Sequence, residues 1–214
     1  QRFRLDEVHF QPDNLVKDPV LRRQVDLGES EWFDLIAVNE GRRRLLRLGV
    51  FENVEWQAGS TDNPGTRSLT YQLDPLARSS LNLRAGWGSY EKGRAAVLWR
   101  QRNMWGRGHQ YEAEIRRSFK SFNADLTYTV PHFFDHRISA FVRGGHSFRE
   151  EIGFDRESEE LVFGVSRRFE QPGIDTFLEY RFENLDTTRR SRSTFDSEDQ
   201  AHVTSILLDL NFDR

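Results

Sequence analysis

Between residues 79 and 131 apolar and polar side chains alternate. Tyr111, Ala113 and Ile115 stand against Glu112, Glu114 and Arg116, and Ala124, Leu126, Tyr128 and Val130 against Asn123, Asp125, Thr127 and Thr129. A period of two is what an extended strand produces, because successive side chains point to opposite faces. Alternation alone suits a sandwich as well as a barrel. Length favours the barrel: runs of about ten residues match a tilted membrane-crossing strand at ~9–11 better than a globular strand at ~5–6. Similar runs cover 81–88 (Leu81, Leu83, Ala85, Trp87), 94–102, 137–144 (Ile138, Ala140, Val142), 161–169 (Leu161, Phe163, Val165, Phe169), 176–182 (Leu178, Tyr180, Phe182) and 204–212 (Ile206, Leu208, Leu210, Phe212). Together they predict eight strands.

The first 75 residues or so read differently. A strand is predicted over 3–10 with an irregularity near Asp6, and Pro12, Asp13 and Asn14 punctuate it. Asp18-Pro19 reads as a helix start with Asp18 as N-cap, Val20, Leu21 and Val25 on the buried face and a stop by Gly28. Ser30 is the candidate cap of a second helical region that takes in Trp32, Phe33, Ile36 and Val38 and runs to Leu48. Leu45, Leu46 and Leu48 would face the core, and Arg42, Arg43, Arg44 and Arg47 the solvent. Gly49 ends it, supplying a positive φ. Strands over 51–58 (Val54 and Trp56 against Glu55 and Gln57) and 68–73, joined by a polar turn around Asn63-Pro64-Gly65, complete a β-α-α-β-β module of α+β type.

Composition narrows the function classes. The 214 residues contain no cysteine, which excludes disulfides and thiolate metal sites. Mean hydropathy is -0.73 and apolar content 36%, so no helix of the ~18 apolar residues needed can cross a membrane. A transmembrane barrel remains open, since alternating strands average out as hydrophilic. Thirty-one basic and 34 acidic residues are interspersed, for a net charge of -3; no basic face suited to nucleic acid is present. Residues 1–10 lack the apolar core of a signal peptide, so either a signal was removed or the sequence is an internal piece.

The run Leu45-Leu46-Arg47-Leu48-Gly49-Val50-Phe51-Glu52-Asn53-Val54-Glu55 resembles the junction between second helix and second strand of a POTRA domain. Phe51 and Val54 would drop into the core as the chain reverses. After it come a glycine-rich strand (Gly86-Trp87-Gly88), the turn Asn103-Met104-Trp105-Gly106-Arg107-Gly108 and Tyr128-Thr129-Val130-Pro131 closing a fourth strand. This order resembles the last POTRA domain and first barrel strands of the BamA/TamA superfamily of outer-membrane assembly and translocation proteins. The resemblance implies a POTRA domain over 1–76 and the first part of an outer-membrane β-barrel over 77–214. It further implies an outer-membrane location with the POTRA domain in the periplasm. The second, fourth and sixth connections (105–108, 132–136, 171–173) would then be short periplasmic turns, and 148–159 and 184–200 long external loops. Family barrels have about sixteen strands, within the range such barrels span, and carry an Arg-Gly-(Tyr/Phe) motif in an external loop. Both are missing, so the chain reads as the front half of a barrel, although eight strands could also close a small barrel or a swapped dimer.

No constellation for catalysis stands out, and the resemblance implies neither an enzyme nor a cofactor. His132 and His136 could hold a metal or simply lie in a solvated turn. Gly86-Trp87-Gly88-Ser89 is not a nucleophile elbow. Glu112, Glu114, Arg116, Asp125 and Arg168 read as an ionic ladder in the lumen, the cluster from Arg42 to Arg47 as a solvated face or a contact for lipid headgroups or a partner. Trp87, Trp99, Trp105 and Tyr90 form either an interfacial belt or core.

Two strands carry the functional expectation. Leu81, Leu83, Ala85, Gly86, Trp87 and Gly88 resemble a gate strand, where glycines weaken pairing and an unpaired edge can template another strand. The strand after Gly49, with Phe51, Val54 and Trp56, could bind an extended segment at the POTRA sheet edge. Asn103, Gly106 and Gly108 define the first periplasmic turn. The implied partners are unfolded outer-membrane protein clients, periplasmic or lipoprotein partners at the POTRA domain, and the lipid bilayer, with no nucleic acid. The implied role is an insertion or translocation component that templates client strands; the alternative is a small POTRA-tethered barrel that only binds partners.

Overall fold

A computed structural model describes residues 3–27, 32–61, 63, 65–134, 138–169, 173–189 and 198–212. The chain divides into two compact units, Gln1–Arg78 with Arg102–His109, and Ser79–Gln101 with Gln110–Arg214. The second segment of the first unit is the turn region expected to be periplasmic.

In the first unit β1 (Arg4–Gln11), α1 (Asp18–Val25), α2 (Leu35–Arg47), β2 (Phe51–Ser60) and β3 (Thr66–Pro75) follow one another. The sheet order is β1-β3-β2, with β1 parallel and β2 antiparallel to β3. The irregularity expected near Asp6 is a register shift between Leu5 and Val8. One face of the sheet meets both helices: Leu5, Val8, Phe10, Leu21, Val25, Val38, Leu45, Leu48, Phe51, Val54, Leu69, Tyr71 and Leu73 form one buried cluster. Tyr71 stacks on Phe10 with ring centroids 5.9 Å apart, and its hydroxyl donates to Val38 O at 2.9 Å. Gly41 makes this approach possible, since a Cβ there would lie 2.9 Å from the Tyr71 hydroxyl and 3.3 Å from Val25 Cα.

Three details correct the sequence reading. Lys17, not Asp18, is the N-cap of α1; Asp18 is its first residue and pairs with Arg22 at 2.6 Å, and the helix ends at Val25 with Asp26 left-handed at φ 52. Ser30 and Gly28 lie outside the described residues. The second helix starts later than expected, at Leu35, because Asp34 accepts from Ile36 N at 2.9 Å, while Phe33 N donates to Phe3 O and Trp32 bridges Arg4, holding 32–33 extended. Arg44 is buried at 8% exposure rather than solvated: it shares the helix face of Val38, Gly41 and Leu45, and Glu40 and Asp26 lie 3.5 and 3.7 Å from its guanidinium. Gly49 stands at φ 66, donating to Leu46 O, where the helix stop was expected.

The second unit is an antiparallel meander. It contains β4 (Ser79–Gly88), β5 (Lys92–Met104), β6 (His109–Ser118), β7 (Ser121–Val130), β8 (Ile138–Glu150), β9 (Phe154–Phe169), β10 (Ile174–Arg189) and β11 (Glu198–Phe212), in spatial order β11 to β4. The sheet is open, with β4 and β11 at its two edges, so the chain does not form the small closed barrel that eight strands could make. No helix among the described residues is long and apolar enough to cross a membrane.

The long external loops are shorter than expected. Pairing of β8 with β9 continues out to Glu150 opposite Asp155, leaving 151–153 as the connection, and β10 with β11 pairs out to Thr188 opposite Glu198. Polar residues on both faces mimic a loop in sequence; in the structure they pair across strands, as His146 does with Glu157 at 3.8 Å and Arg156 with Glu183 at 3.8 Å.

The two faces differ in kind. Tyr111, Tyr128, Val142, Phe163, Tyr180 and Ile206 lie in one cross-strand row, and Val130, Ala140, Val165, Leu178 and Leu208 in another. On this face Leu81, Leu83, Trp87, Leu126, Phe163, Leu178 and Leu208 are all exposed. The opposite face carries Glu112, Glu114, Arg116, Asp125, Arg143, Glu160 and Arg181. An apolar outside and a charged inside is the pattern of a membrane barrel wall.

Candidate strand edges and ionic face

In the first unit the hydrogen bond from Leu76 N to Val50 O, 2.9 Å, sets which backbone groups face which way. On β3, Asp74, Gln72, Thr70 and Ser68 share the parity of Leu76, so their partners Asn53, Glu55, Gln57 and Gly59 bond into the sheet. Val54, Trp56, Ala58 and Ser60 therefore turn their N–H and C=O groups to the open side of β2. Among the described residues β2 is the outer strand of its sheet; Phe51, Val54 and Trp56 lie on it and Gly49 just before it. Phe51 and Val54 are buried; Trp56 is half-buried, edge-on to Phe33 with centroids 6.3 Å apart, and its indole donates to Asn39 Oδ1 at 3.3 Å.

The same argument applies to β4. Arg102 N donates to Arg78 O at 2.7 Å, and the register continues as Ser80 with Arg100, Asn82 with Leu98, Arg84 with Ala96 and Gly86 with Arg94. Leu81, Leu83, Ala85 and Trp87 hence offer their backbone groups to the open edge of the sheet. Gly86 and Gly88 belong to the paired parity. Gly86 admits the Arg94 side chain, whose Nε lies 2.9 Å from where a Cβ would stand; beside Gly88 there is open space.

The turn between β5 and β6 needs backbone that ordinary residues avoid. Asn103, Trp105, Gly106 and Gly108 all have positive φ, from 54 to 76. Asn103 holds it: its Oδ1 accepts from Gly108 N at 3.1 Å, and its amide donates to Leu15 O within the first unit, where Lys17 N also donates to Gly106 O at 2.8 Å.

The ionic ladder is more extensive than its sequence signature. Arg100 pairs with Glu112, Arg84 reaches Glu114 at 2.9 Å, and Arg116 reaches Asp125 at 3.1 Å and Glu114 at 3.8 Å. Arg143 meets Glu160 at 3.2 Å, and Arg181 meets Glu179 at 2.8 Å and Glu160 at 3.9 Å. Gly145 lies between Asp125 and Glu160, with both side chains 2.9 Å from its missing Cβ. Arg168 pairs separately with Asp175 at 2.8 Å. Arg84, Arg100, Arg143, Glu160 and Arg181 were not singled out from sequence; sharing the strand parity of Glu112 and Glu114 was the available signal.

One hydrophobic detail also escaped the pattern. Phe141, on the charged face, lies over Gly164 so closely that a Cβ there would stand 2.0 Å from its ring, and it stacks on Phe177 with centroids 6.0 Å apart. Trp87, Trp99, Trp105 and Tyr90 are 40–74% exposed, which removes them from any core. His136 lies outside the described residues, and no cluster fit to hold a metal ion occurs among the described ones.

Comparison with known proteins agrees with this geometry. The family model for POTRA, described as surface antigen variable number repeat, matches residues 3–75. The outer membrane protein assembly factor BamA of Neisseria meningitidis serogroup B is 28% identical over 134 residues, 62% of this chain and 17% of the relative. BamA of Neorickettsia risticii is 24% identical over 140 residues, 65% of this chain and 19% of that one. Among solved structures, BamA from Haemophilus ducreyi lacking POTRA domains 1–3 matches 99% of this chain and 44% of its own with a TM-score of 0.74 at 17% identity. CdiB from Escherichia coli matches 98% of this chain and 41% of its own with a TM-score of 0.68 at 16% identity, a likeness of fold. The chain thus spans about a fifth of the length of the curated relatives it matches. A POTRA domain over residues 3–75, BamA relatives over about two thirds of the chain and a BamA-type fold across nearly all of it together support BamA/TamA-like membership.

Proposed function

We infer that this chain serves in the insertion or translocation of proteins at the outer membrane, with its POTRA domain on the periplasmic side. The assembly role of its BamA relatives supports the reading. The observation that carries it is the pair of open strand edges. β2 turns out the backbone groups of Trp56, Ala58 and Ser60, and β4 those of Leu81, Leu83, Ala85 and Trp87. An extended client segment gains main-chain hydrogen bonds at such an edge without any specific sequence, which suits a protein acting on many clients. No chemical step, nucleotide or cofactor enters the reading; the work is pairing and release. Periplasmic or lipoprotein partners meet the POTRA domain, and the exposed apolar face of β4–β11 meets lipid.

The test is site-specific photo-cross-linking in cells during synthesis of outer-membrane proteins, with the photoreactive residue placed in turn at each position from Leu81 to Trp87 and from Val54 to Ser60. Client adducts should recur with a period of two along both strands, and Leu83→Pro, which removes an outward N–H, should abolish those at β4. Adducts equal at every position, or clients found only at β11, would sink the templating reading.

A further inference from the structure

The β2 edge is not uniformly open. Arg42, in the middle of α2, donates from Nε to the carbonyl oxygen of Val54. Val54 is one of the residues whose backbone points outward, so the guanidinium sits where the first N–H of an incoming strand would arrive. Its neighbours are used otherwise: Arg43 pairs with Glu40 at 3.8 Å, and Arg44 with Glu40 and Asp26. Leu35, Asn39, Arg42 and Leu46 are spaced to share one stripe of α2. Two members of that stripe touch β2, Asn39 at the Trp56 indole and Arg42 at the Val54 carbonyl. Asn39 is itself oriented by donating to Leu35 O at 2.8 Å.

We propose that Arg42 is a register stop on the β2 edge, occupying the Val54 carbonyl so that an extended client segment pairs only from Trp56 to Ser60. The proposal rests on the reading of β2 as a client-binding edge. A hydrogen bond from a charged donor is stronger than one from a neutral amide, so a client N–H does not displace it. The remaining site offers the backbone groups of Trp56, Ala58 and Ser60, an extended length of roughly 13 Å at ~3.3 Å per residue. Its fitting partner is a short strand of about five residues, with an apolar side chain to lie beside Trp56 and the exposed Leu35. A short site holds a client loosely and in one register, which suits a hand-over step.

The experiment uses the full chain in lipid nanodiscs and a fluorescent peptide copying residues 203–212 (VTSILLDLNF) with two added lysines, an alternating strand of the kind the edge would meet. Affinity and amide hydrogen exchange are read together. On the unaltered chain the peptide should protect the Trp56, Ala58 and Ser60 amides and leave Val54 unprotected. Arg42→Ala should bind about three- to tenfold more tightly and extend protection to Val54. Arg42→Gln, which keeps a neutral donor on a shorter stem, should fall between. Arg43→Ala removes the same charge from an exposed neighbour and should change neither readout. Protection reaching Val54 in the unaltered chain, or Arg42 variants that bind like Arg43→Ala, overturns the stop while leaving the edge reading intact. Ala58→Pro separates the two: proline is tolerated on an open edge but removes the central outward N–H. Undiminished binding to that variant overturns the edge reading itself, and with it this inference.

Discussion

In the first unit β1, β3 and β2 turn Leu5, Val8, Phe10, Val54, Leu69, Tyr71 and Leu73 toward two helices, and these side chains are only 0–5% exposed. In the second unit the strands turn Ile115, Leu126, Phe163, Leu178 and Leu208 to the outside, and these are 48–63% exposed. The period-two alternation is the same in both. What differs is the cover: α1 and α2 close the first sheet, and no helix lies among the described residues of β4–β11. The opposite face tells the same story, since in the second unit it holds a charged ladder where a water-soluble sheet would hold its core. A strand pattern therefore fixes which residues share a face, and the density of charge on the other face says whether apolar side chains look at protein or lipid.

The sharpest way to break the comparison is to delete core from the first unit. Leu69→Ala removes a fully buried side chain from the central strand and should cost about 2–5 kcal/mol. Urea unfolding followed by hydrogen exchange should show the loss in α1, α2 and β1–β3, with or without lipid. The mirror experiment is Leu178→Lys, flanked by Val165 and Leu208 in the middle of the outward band. In a bilayer a charge there should cost about 2–4 kcal/mol, read as a lower urea midpoint of folding into vesicles. A loss of the same size in both solvents would refute the lipid-facing assignment.

How far the sequence could be read follows from where local patterns suffice. Gly49, Phe51 and Val54 were legible because a helix stop, a reversal and a core contact follow in a short stretch. The start of α2 was not, because Ser30 and Asp34 both suit an N-cap, and the choice is made by Phe3 and Arg4 holding 32–33 extended. Arg44 looked solvated beside other arginines; only the Glu40 and Asp26 carboxylates explain its burial. The extended β8–β11 hairpins hid as loops for the same reason, since cross-strand ion pairs leave no periodic trace. Edge parity, on which both candidate sites depend, is set by single hydrogen bonds such as Leu76 to Val50 that no sequence pattern announces.

Gly41→Ala tests how tightly the first unit is packed. The new methyl meets the Tyr71 hydroxyl and the Val25 backbone, and overpacking of this kind costs about 1–3 kcal/mol, even though alanine is the better helix former. Tyr71 adds a pH dependence of known sign. Burial pushes its phenol above the ordinary value of 10.0, so the folded state keeps its proton after the unfolded chain has lost it. That contribution is complete below about pH 10 and is lost as pH rises beyond it. Tyr71→Phe should flatten this part of the alkaline decline in stability while lowering stability slightly at neutral pH, because Val38 O loses a donor.

The smallest effect belongs to the second unit's charged face. Arg84 is mostly exposed where it reaches Glu114, and Glu114 also has Arg116 at 3.8 Å. An exposed pair is worth about 0.2–1 kcal/mol, and the second arginine compensates, so Arg84→Gln should shift the urea midpoint by less than Leu178→Lys does. Raising salt should shrink even that difference, as screening weakens the remaining pairs. A loss comparable to Leu69→Ala would mean that the charged face holds the sheet together as a core does. The contrast between the units would then be one of polarity alone, with the same dependence on what the inward face packs against.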